Sequence, residues 1–242
     1  MKVNGLGILL LAIMLVLAYA CASPAPSVSP ATPPAPAPAL GPEKTLQLPQ
    51  PRLKSAVSLE EALLKRRSVR EYANLPLTLE EVSQLLWAAQ GVTSEWGGRT
   101  APSAGALYPL EMYLAVGHIQ HLAPGVYKYR PERHELVQVK PDDVRGELAG
   151  AALGQAWIRE GAIDIIIAAV YERTTRKYGD RGVRYVHMEA GHAAQNIYLQ
   201  AAALDLSMVT VGAFHDDRVK EITGMLEDEI PFYVIPVGIK KT

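Results

Sequence analysis

Cysteine is almost missing from these 242 residues: Cys21 stands alone. A single thiol makes no internal disulfide, and no cysteine pair is available to anchor a zinc site. An excess of either charge is missing too, since 24 Lys and Arg against 25 Asp and Glu leave a formal net charge of −1. That balance argues against a dominant nucleic-acid or polybasic membrane role. No Walker loop is present, and no G-x-G-x-x-G follows a strand pattern, so the usual phosphate-loop and dinucleotide signatures are excluded. No internal repeat is visible. His187 and His192 lie five residues apart, which splays them around a helix, and only one Glu/His pair at i, i+3 (Glu189, His192) occurs. No metal site is expected.

What is there suits one domain with appendages: 49% hydrophobic and 20% charged residues allow a sizeable core. Lys2, the apolar run Leu6 to Leu17, and the small-residue step Ala18-Tyr19-Ala20 read as a signal peptide ending at Cys21. The run is shorter than the roughly 20 residues of a spanning helix. The arrangement looks like a bacterial lipobox, although Leu17 stands four residues before Cys21 where lipoboxes favour three. The expectation over 1–21 is therefore export, lipidation at Cys21 and a membrane-anchored lipoprotein facing the cell exterior or periplasm. Soluble export after cleavage at Ala20, or an uncleaved anchor, are the alternatives. Residues 22–53 are rich in Ala, Pro and Ser, have little to bury, and are expected to form a disordered, extended linker. A docking site for a proline-reading module is the alternative there. The folded domain is expected over 54–242.

Within it, Ser58-Leu-Glu-Glu61 and Thr78-Leu-Glu-Glu81 read as capping boxes. The first opens a helix to about Arg66. The second opens one with Leu79, Val82, Leu85, Leu86 and Ala89 on one face, ending at Gly91. Strands are expected at Leu110–Val116, Ala162–Val170, Met208–Ala213 and Phe232–Val237, and a hairpin from Gly125–Tyr129 and Glu135–Val139 around Pro131–His134. Helices are expected at Asp142–Leu153, Tyr185–Leu206 and Asp216–Thr223. Helices and strands interleave without a regular βαβ beat, which implies α+β with a mixed sheet.

Several stretches carry chemistry. Arg66 and Arg70 are four apart, so one helix turn would set two guanidinium forks on one side, with Arg67 and Ser68 between, as suits a phosphate monoester. A solvated basic helix end is the plainer reading. Pro102, Ser103, Ala104, Gly105 and Ala106 form a small-residue loop where a flat ligand could approach the backbone, and Tyr108 adds an aromatic face. Gln195 and Asn196 are polar on an otherwise apolar helix and call for partners. Gly212 ends a strand.

Taken in order, Arg66-Arg-Ser-Val-Arg70, Pro102-Ser-Ala-Gly-Ala-Leu-Tyr-Pro109 and Glu189-Ala-Gly-His-Ala-Ala-Gln-Asn196 resemble the nitroreductase flavoprotein superfamily. Ala106 and Tyr108, where the wider superfamily favours Asn and Gln, resemble its SagB-type dehydrogenase branch. The resemblance spans about residues 56–239. It implies a nitroreductase-like fold, a mixed central sheet flanked by helices, and a homodimer with FMN at the subunit interface. It also implies that Arg66, Arg67, Ser68 and Arg70 hold the FMN phosphate and ribityl chain, and that Pro102 to Tyr108 lie along the ring. Gln195 would meet the isoalloxazine edge or a dimer mate, and Gly212 and Ala213 would lie against N5. Lys177 and Tyr178 match positions important for dehydrogenation, where either could move the substrate proton. Lys240 and Lys241 stand where relatives place a basic phosphate contact. The implied activity is two-electron transfer between flavin and a small molecule or peptide-derived substrate. An NAD(P)H-dependent nitro- or quinone-type reductase, and a tethered flavin-free binding module, are the rivals.

Overall fold

The structure is a computed structural model that describes residues 44–241. The expected signal peptide, Cys21 and most of the expected linker lie outside the described residues. The strands are β1 (Thr45–Gln47), β2 (Tyr72–Ala73), β3 (Leu110–Val116), β4 (Gly125–Arg130), β5 (Glu135–Lys140), β6 (Ile163–Ala169), β7 (Leu206–Met208) and β8 (Ile230–Lys240). The helices are α1 (Leu59–Lys65), α2 (Leu79–Gln90), α3 (Arg145–Ala151), α4 (Ala156–Glu160), α5 (Glu172–Tyr178), α6 (Arg181–Ala203) and α7 (Asp216–Thr223), with a 3₁₀ turn at Ala104–Ala106.

The strands form one sheet in the order β1-β5-β4-β3-β6-β8-β2, with β7 also on β8. Every ladder between these strands is antiparallel, so the expected mixed sheet is corrected. The near-continuous aliphatic run of β6 suggested a strand covered on both faces, and that much holds. Residues Ile163, Ile165 and Ile167 join one core cluster, with α2 and α6; Ile166 joins a second, with α3, α4 and α7. Two-sided burial is common in parallel sheets, yet an antiparallel strand covered twice reads the same in sequence.

Local signals set several elements. Thr78 makes a complete capping box with Glu81, whereas Ser58 caps only the Glu61 N–H, because the Glu61 carboxylate turns to Lys65 at 2.6 Å. β3 and α7 have the expected bounds. Elsewhere tertiary contacts prevail. The long helix starts at Arg181 rather than Tyr185, since Gly182 lets it press on α5: a Cβ there would come 2.9 Å from Thr175 Cα. It ends at Ala203, because Leu206 is taken into β7. Of the expected strand Met208–Ala213, only Met208 lies in a ladder, and Val211 adds an isolated bridge to Val234. The expected helix Asp142–Leu153 is shorter, Arg145–Ala151. The composition boundary at residue 53 also moves: β1 pairs with β5, and Leu48 is buried in the core. The short elements β1, β2, α4 and α5 carry no periodic signal long enough to read.

Candidate active site

The loop from Arg99 to Tyr108 joins α2 to β3 and turns through three left-handed residues, Gly105 (φ 64°), Ala106 (φ 53°) and Tyr108 (φ 44°). Such a conformation costs energy at a side-chain-bearing residue and persists only where surroundings hold it. Here they do. Ser103 Oγ accepts the Tyr108 N–H at 2.9 Å, and Tyr108 Oη accepts the Arg99 N–H at 3.2 Å. The Arg99 guanidinium lies 4.6 Å from the Tyr108 ring centroid and donates to Gln90 and Glu132.

Helix α5 sets Lys177 and Tyr178 directly on this loop. A Cβ on Gly105 would come 2.7 Å from Tyr178 Oη and 2.9 Å from Lys177 Nζ, so only glycine lets these groups come so close to the backbone. Tyr178 packs edge-on against Tyr185 of α6, ring centroids 5.2 Å apart. One helical turn further along α6, the Glu189 side chain is buried. Burial pushes its carboxyl up to about 7, against the pull of the Ser103 hydroxyl and the Arg99 guanidinium. Its Oε1 has no hydrogen-bond partner among the described residues.

A second group gathers around Tyr198, nine residues further along α6 and therefore roughly 14 Å along its axis. The segment after α1 is extended, not helical: Arg66 already has φ −54°, ψ 122°, and the Val69 N–H donates to the Met208 carbonyl at 2.9 Å. Arg66 and Arg70 are therefore not stacked on a helix turn, which corrects that expectation. Instead, the alternation of an extended chain sets Arg66 and Ser68 on the same side. The Arg66 guanidinium lies 5.2 Å from the Tyr198 ring centroid, and Ser68 Oγ lies 2.8 Å from Tyr198 Oη. Tyr198 Oη also accepts the Thr210 N–H at 3.1 Å, tying in the segment that leads from β7 to Gly212. Arg70 lies over Trp157 at 5.3 Å, and Arg67 donates to the Leu64 and Arg66 carbonyls.

Among the described residues, Arg66, Arg67 and Arg70 form no ion pair with a carboxylate. A cavity of about 290 Å³ is lined by Arg66, Arg67, Lys240, Tyr198 and Ser207, and the buried Ser207 Oγ has no partner there. Gly212 and Ala213 are exposed backbone; Gln155 donates to the Ala213 carbonyl at 3.0 Å. The Gln195 side chain is exposed and hydrogen-bonds to no described residue, while Asn196 Nδ2 donates to the Thr100 carbonyl at 3.4 Å. Lys241 pairs with Glu71 at 3.8 Å.

The structure thus brings Gly105 to Lys177 and Tyr178, and Arg66 and Ser68 to the segment between β7 and Gly212, as two groups along one helix. Sequence reasoning missed Tyr198 and Arg173 altogether, and weighed Glu189 only as a metal ligand. A signal for Glu189 was present: it falls at buried spacing between Val186, Ala190 and Ala193, where a carboxylate is out of place.

Known proteins agree with this architecture. A family model described as the Nitroreductase family matches residues 63–239. A protein of Methanocaldococcus jannaschii, named as a candidate nitroreductase, is 53% identical over 201 residues, covering 83% of this chain and 99% of that one. The trifolitoxin operon protein TfxC of Rhizobium leguminosarum bv. trifolii is 26% identical over 214 residues, covering 82% of this chain and 60% of that one. A solved structure of a candidate nitroreductase from Ralstonia eutropha superposes with a TM-score of 0.73 at 30% identity, covering 88% of this chain and 98% of that one. The chain belongs to the nitroreductase family and is an oxidoreductase enzyme.

Proposed function

We propose that this enzyme is an FMN-dependent oxidoreductase of SagB-dehydrogenase type, acting on a small molecule or a peptide-derived substrate. The observation that carries the reading is the convergence of Lys177 Nζ and Tyr178 Oη on the Gly105 backbone. An amine and a phenol are thereby held against the small-residue loop that the resemblance sets beside the flavin. The likeness to TfxC, named for a toxin operon, supports a peptide-derived substrate.

The residues present fit FMN. Arg66, Arg67 and Arg70 engage aromatic faces and carbonyls but no carboxylate, which leaves their forks available to a phosphate. The unpartnered Ser207 Oγ lines the same cavity as Arg66, as do Lys240 and Asp205, which pair with each other at 3.2 Å. Arg66, Ser68 and Arg70 would hold the phosphate and ribityl chain. Pro102, Ser103, Ala104, Gly105 and Tyr108 would flank the ring, Gln195 would meet its edge, and Gly212 and Ala213 would offer bare backbone beside it. When bound, FMN supplies the two-electron chemistry. Lys177 or Tyr178 takes or returns the proton that accompanies it, and Tyr185 fixes the Tyr178 ring from the side. A homodimer with the ligand at the subunit interface would draw on both groups along α6. Lipidation at Cys21 would tether the domain outside the cytoplasm.

The 53% identity to a candidate nitroreductase favours a second reading, an NAD(P)H-dependent reductase. The scarcity of reduced nucleotides outside the cytoplasm speaks against it if the protein is exported. Purified full chain incubated with FMN should retain flavin absorbance after desalting; a colourless protein refutes both readings. Anaerobic mixing with NADH then separates them: indifference supports the dehydrogenase, and prompt bleaching supports the reductase. Cys21→Ser should abolish lipid labelling in cells, and unchanged labelling removes the lipoprotein.

A further inference from the structure

The two halves of the Gly105 contact come from distant parts of the chain. The β3–β6 ladder aligns them as far as the Val170 N–H, which donates to the Pro109 carbonyl at 2.9 Å, and the left-handed path from Tyr108 back to Gly105 lies beyond that last bond. A cavity of about 350 Å³ lies at this edge, lined by the charged groups of Arg99, Glu111, Lys128 and Arg173 over the buried Leu110, Met112 and Tyr129. Arg173 spans the gap in two directions. Its Nη1 donates to the Tyr108 carbonyl at 3.2 Å, and its Nη2 pairs with the Glu111 carboxylate. Arg173 and Lys177 are i, i+4 on α5, so the residue that grips the loop stands one turn below the one that meets Gly105.

The grip is anchored inward. Glu111 Oε2 lies 3.0 Å from Lys128 Nζ, and Lys128 lies 2.5 Å from Glu229 Oε1. Glu229 is 1% exposed and takes a further hydrogen bond from Tyr113 Oη at 2.5 Å and one from the Leu226 N–H at 2.9 Å. The chain Glu229–Lys128–Glu111–Arg173 thus runs from the sheet interior to the carbonyl of a left-handed residue. A planar fork engages two acceptors in different directions; a lysine ammonium on a flexible stem is poorly suited to hold both.

We propose that Arg173 is a positioning residue: by bridging the Tyr108 carbonyl and Glu111 it extends the β3–β6 alignment past Pro109 to the 99–108 loop, and so holds Gly105 against Lys177 and Tyr178. The functional weight of that placement rests on the reading of Lys177 and Tyr178 given above. The placement itself is a property of the polypeptide and needs no flavin to be measured.

The test is amide hydrogen exchange on the flavin-free full chain, comparing wild type with Arg173→Gln, Arg173→Lys and Glu111→Gln. Peptides covering 104–108 should exchange about tenfold faster in Arg173→Gln, with β6 unchanged. Arg173→Lys, keeping the pair with Glu111 but not the carbonyl bond, should fall between. In protein labelled with 3-fluorotyrosine, the Tyr178 resonance, assigned by its loss in Tyr178→Phe, should shift or broaden in Arg173→Gln. Unchanged exchange at 104–108, a uniform rise that includes β6, or an unmoved Tyr178 signal would each overturn the proposal. Failure of flavin binding with these results intact would sink the proposed activity and leave the positioning role standing.

Discussion

Replacing Glu189 by Gln isolates one buried ionisation. The carboxyl is 2% exposed, lies beneath the 99–108 loop, and is lifted from 4.5 to about 7, by burial first, with Ser103 and Arg99 opposing. A raised acid favours its neutral form in the fold. Its contribution is therefore fully present below about pH 4.5 and is lost as pH rises through about 7. At 1.36 kcal/mol per pH unit, that window costs the wild type about 3 kcal/mol. Glutamine has nearly the same shape and does not titrate. The stability difference between variant and wild type should therefore grow in the variant's favour by about 3 kcal/mol from pH 4.5 to pH 8. All other titrating groups cancel in that difference. Urea unfolding at the two pH values measures it, and the midpoint gap should widen by about 1 M or more. A difference that stays constant within about 0.5 kcal/mol refutes the assignment of a buried, raised carboxyl at this position.

Three further outcomes are expected. Gly105→Ala places a Cβ at φ 64° against Lys177 and Tyr178; it should cost about 1 kcal/mol by thermal melting and move the Tyr178 resonance, and a silent variant would remove the close approach. Tyr198→Phe takes away the acceptor of the Thr210 N–H and the partner of Ser68; it should cost about 1–2 kcal/mol and weaken FMN binding in a fluorescence titration, whereas unaltered affinity would separate Tyr198 from the arginine block. In the wild type, burial raises Glu229, but the hydrogen bonds from Lys128 and Tyr113 and the Leu226 N–H together hold it below its usual 4.5, so its stabilisation is present above that value and lost as pH falls. Lys128→Met leaves that buried carboxylate uncompensated and should cost about 3 kcal/mol at pH 7, with a smaller deficit toward pH 4; a deficit independent of pH would refute the pairing.

The elements that could be read in advance are those whose signal is local. β3 declares itself by seven residues of strand-forming character, and α2 by a complete capping box and a 3.6-residue apolar stripe. The three motif blocks were legible as well, because their order and spacing survive in one dimension. The geometry within them was not. Arg66 and Arg70 at i, i+4 suggested a helix turn, but the Val69 N–H pairs with Met208 and draws the segment out straight. Arg173 passed unnoticed since nothing local distinguishes it from its neighbours Glu172 and Arg176, an ordinary i, i+4 surface pair.

Sequence alone determined which residues form the principal strands and helices, that the domain is α+β, and which family it belongs to. These depend on periodicity, caps and motif order, all short-range or additive along the chain. The tertiary structure decided the antiparallel sense of the sheet, the left-handed path from Gly105 to Tyr108, and the burial of Glu229. It also decided that the motif blocks gather in two groups on α6. Each of these turns on which distant segment supplies a hydrogen bond or excludes water, and that information appears only when the chain closes on itself.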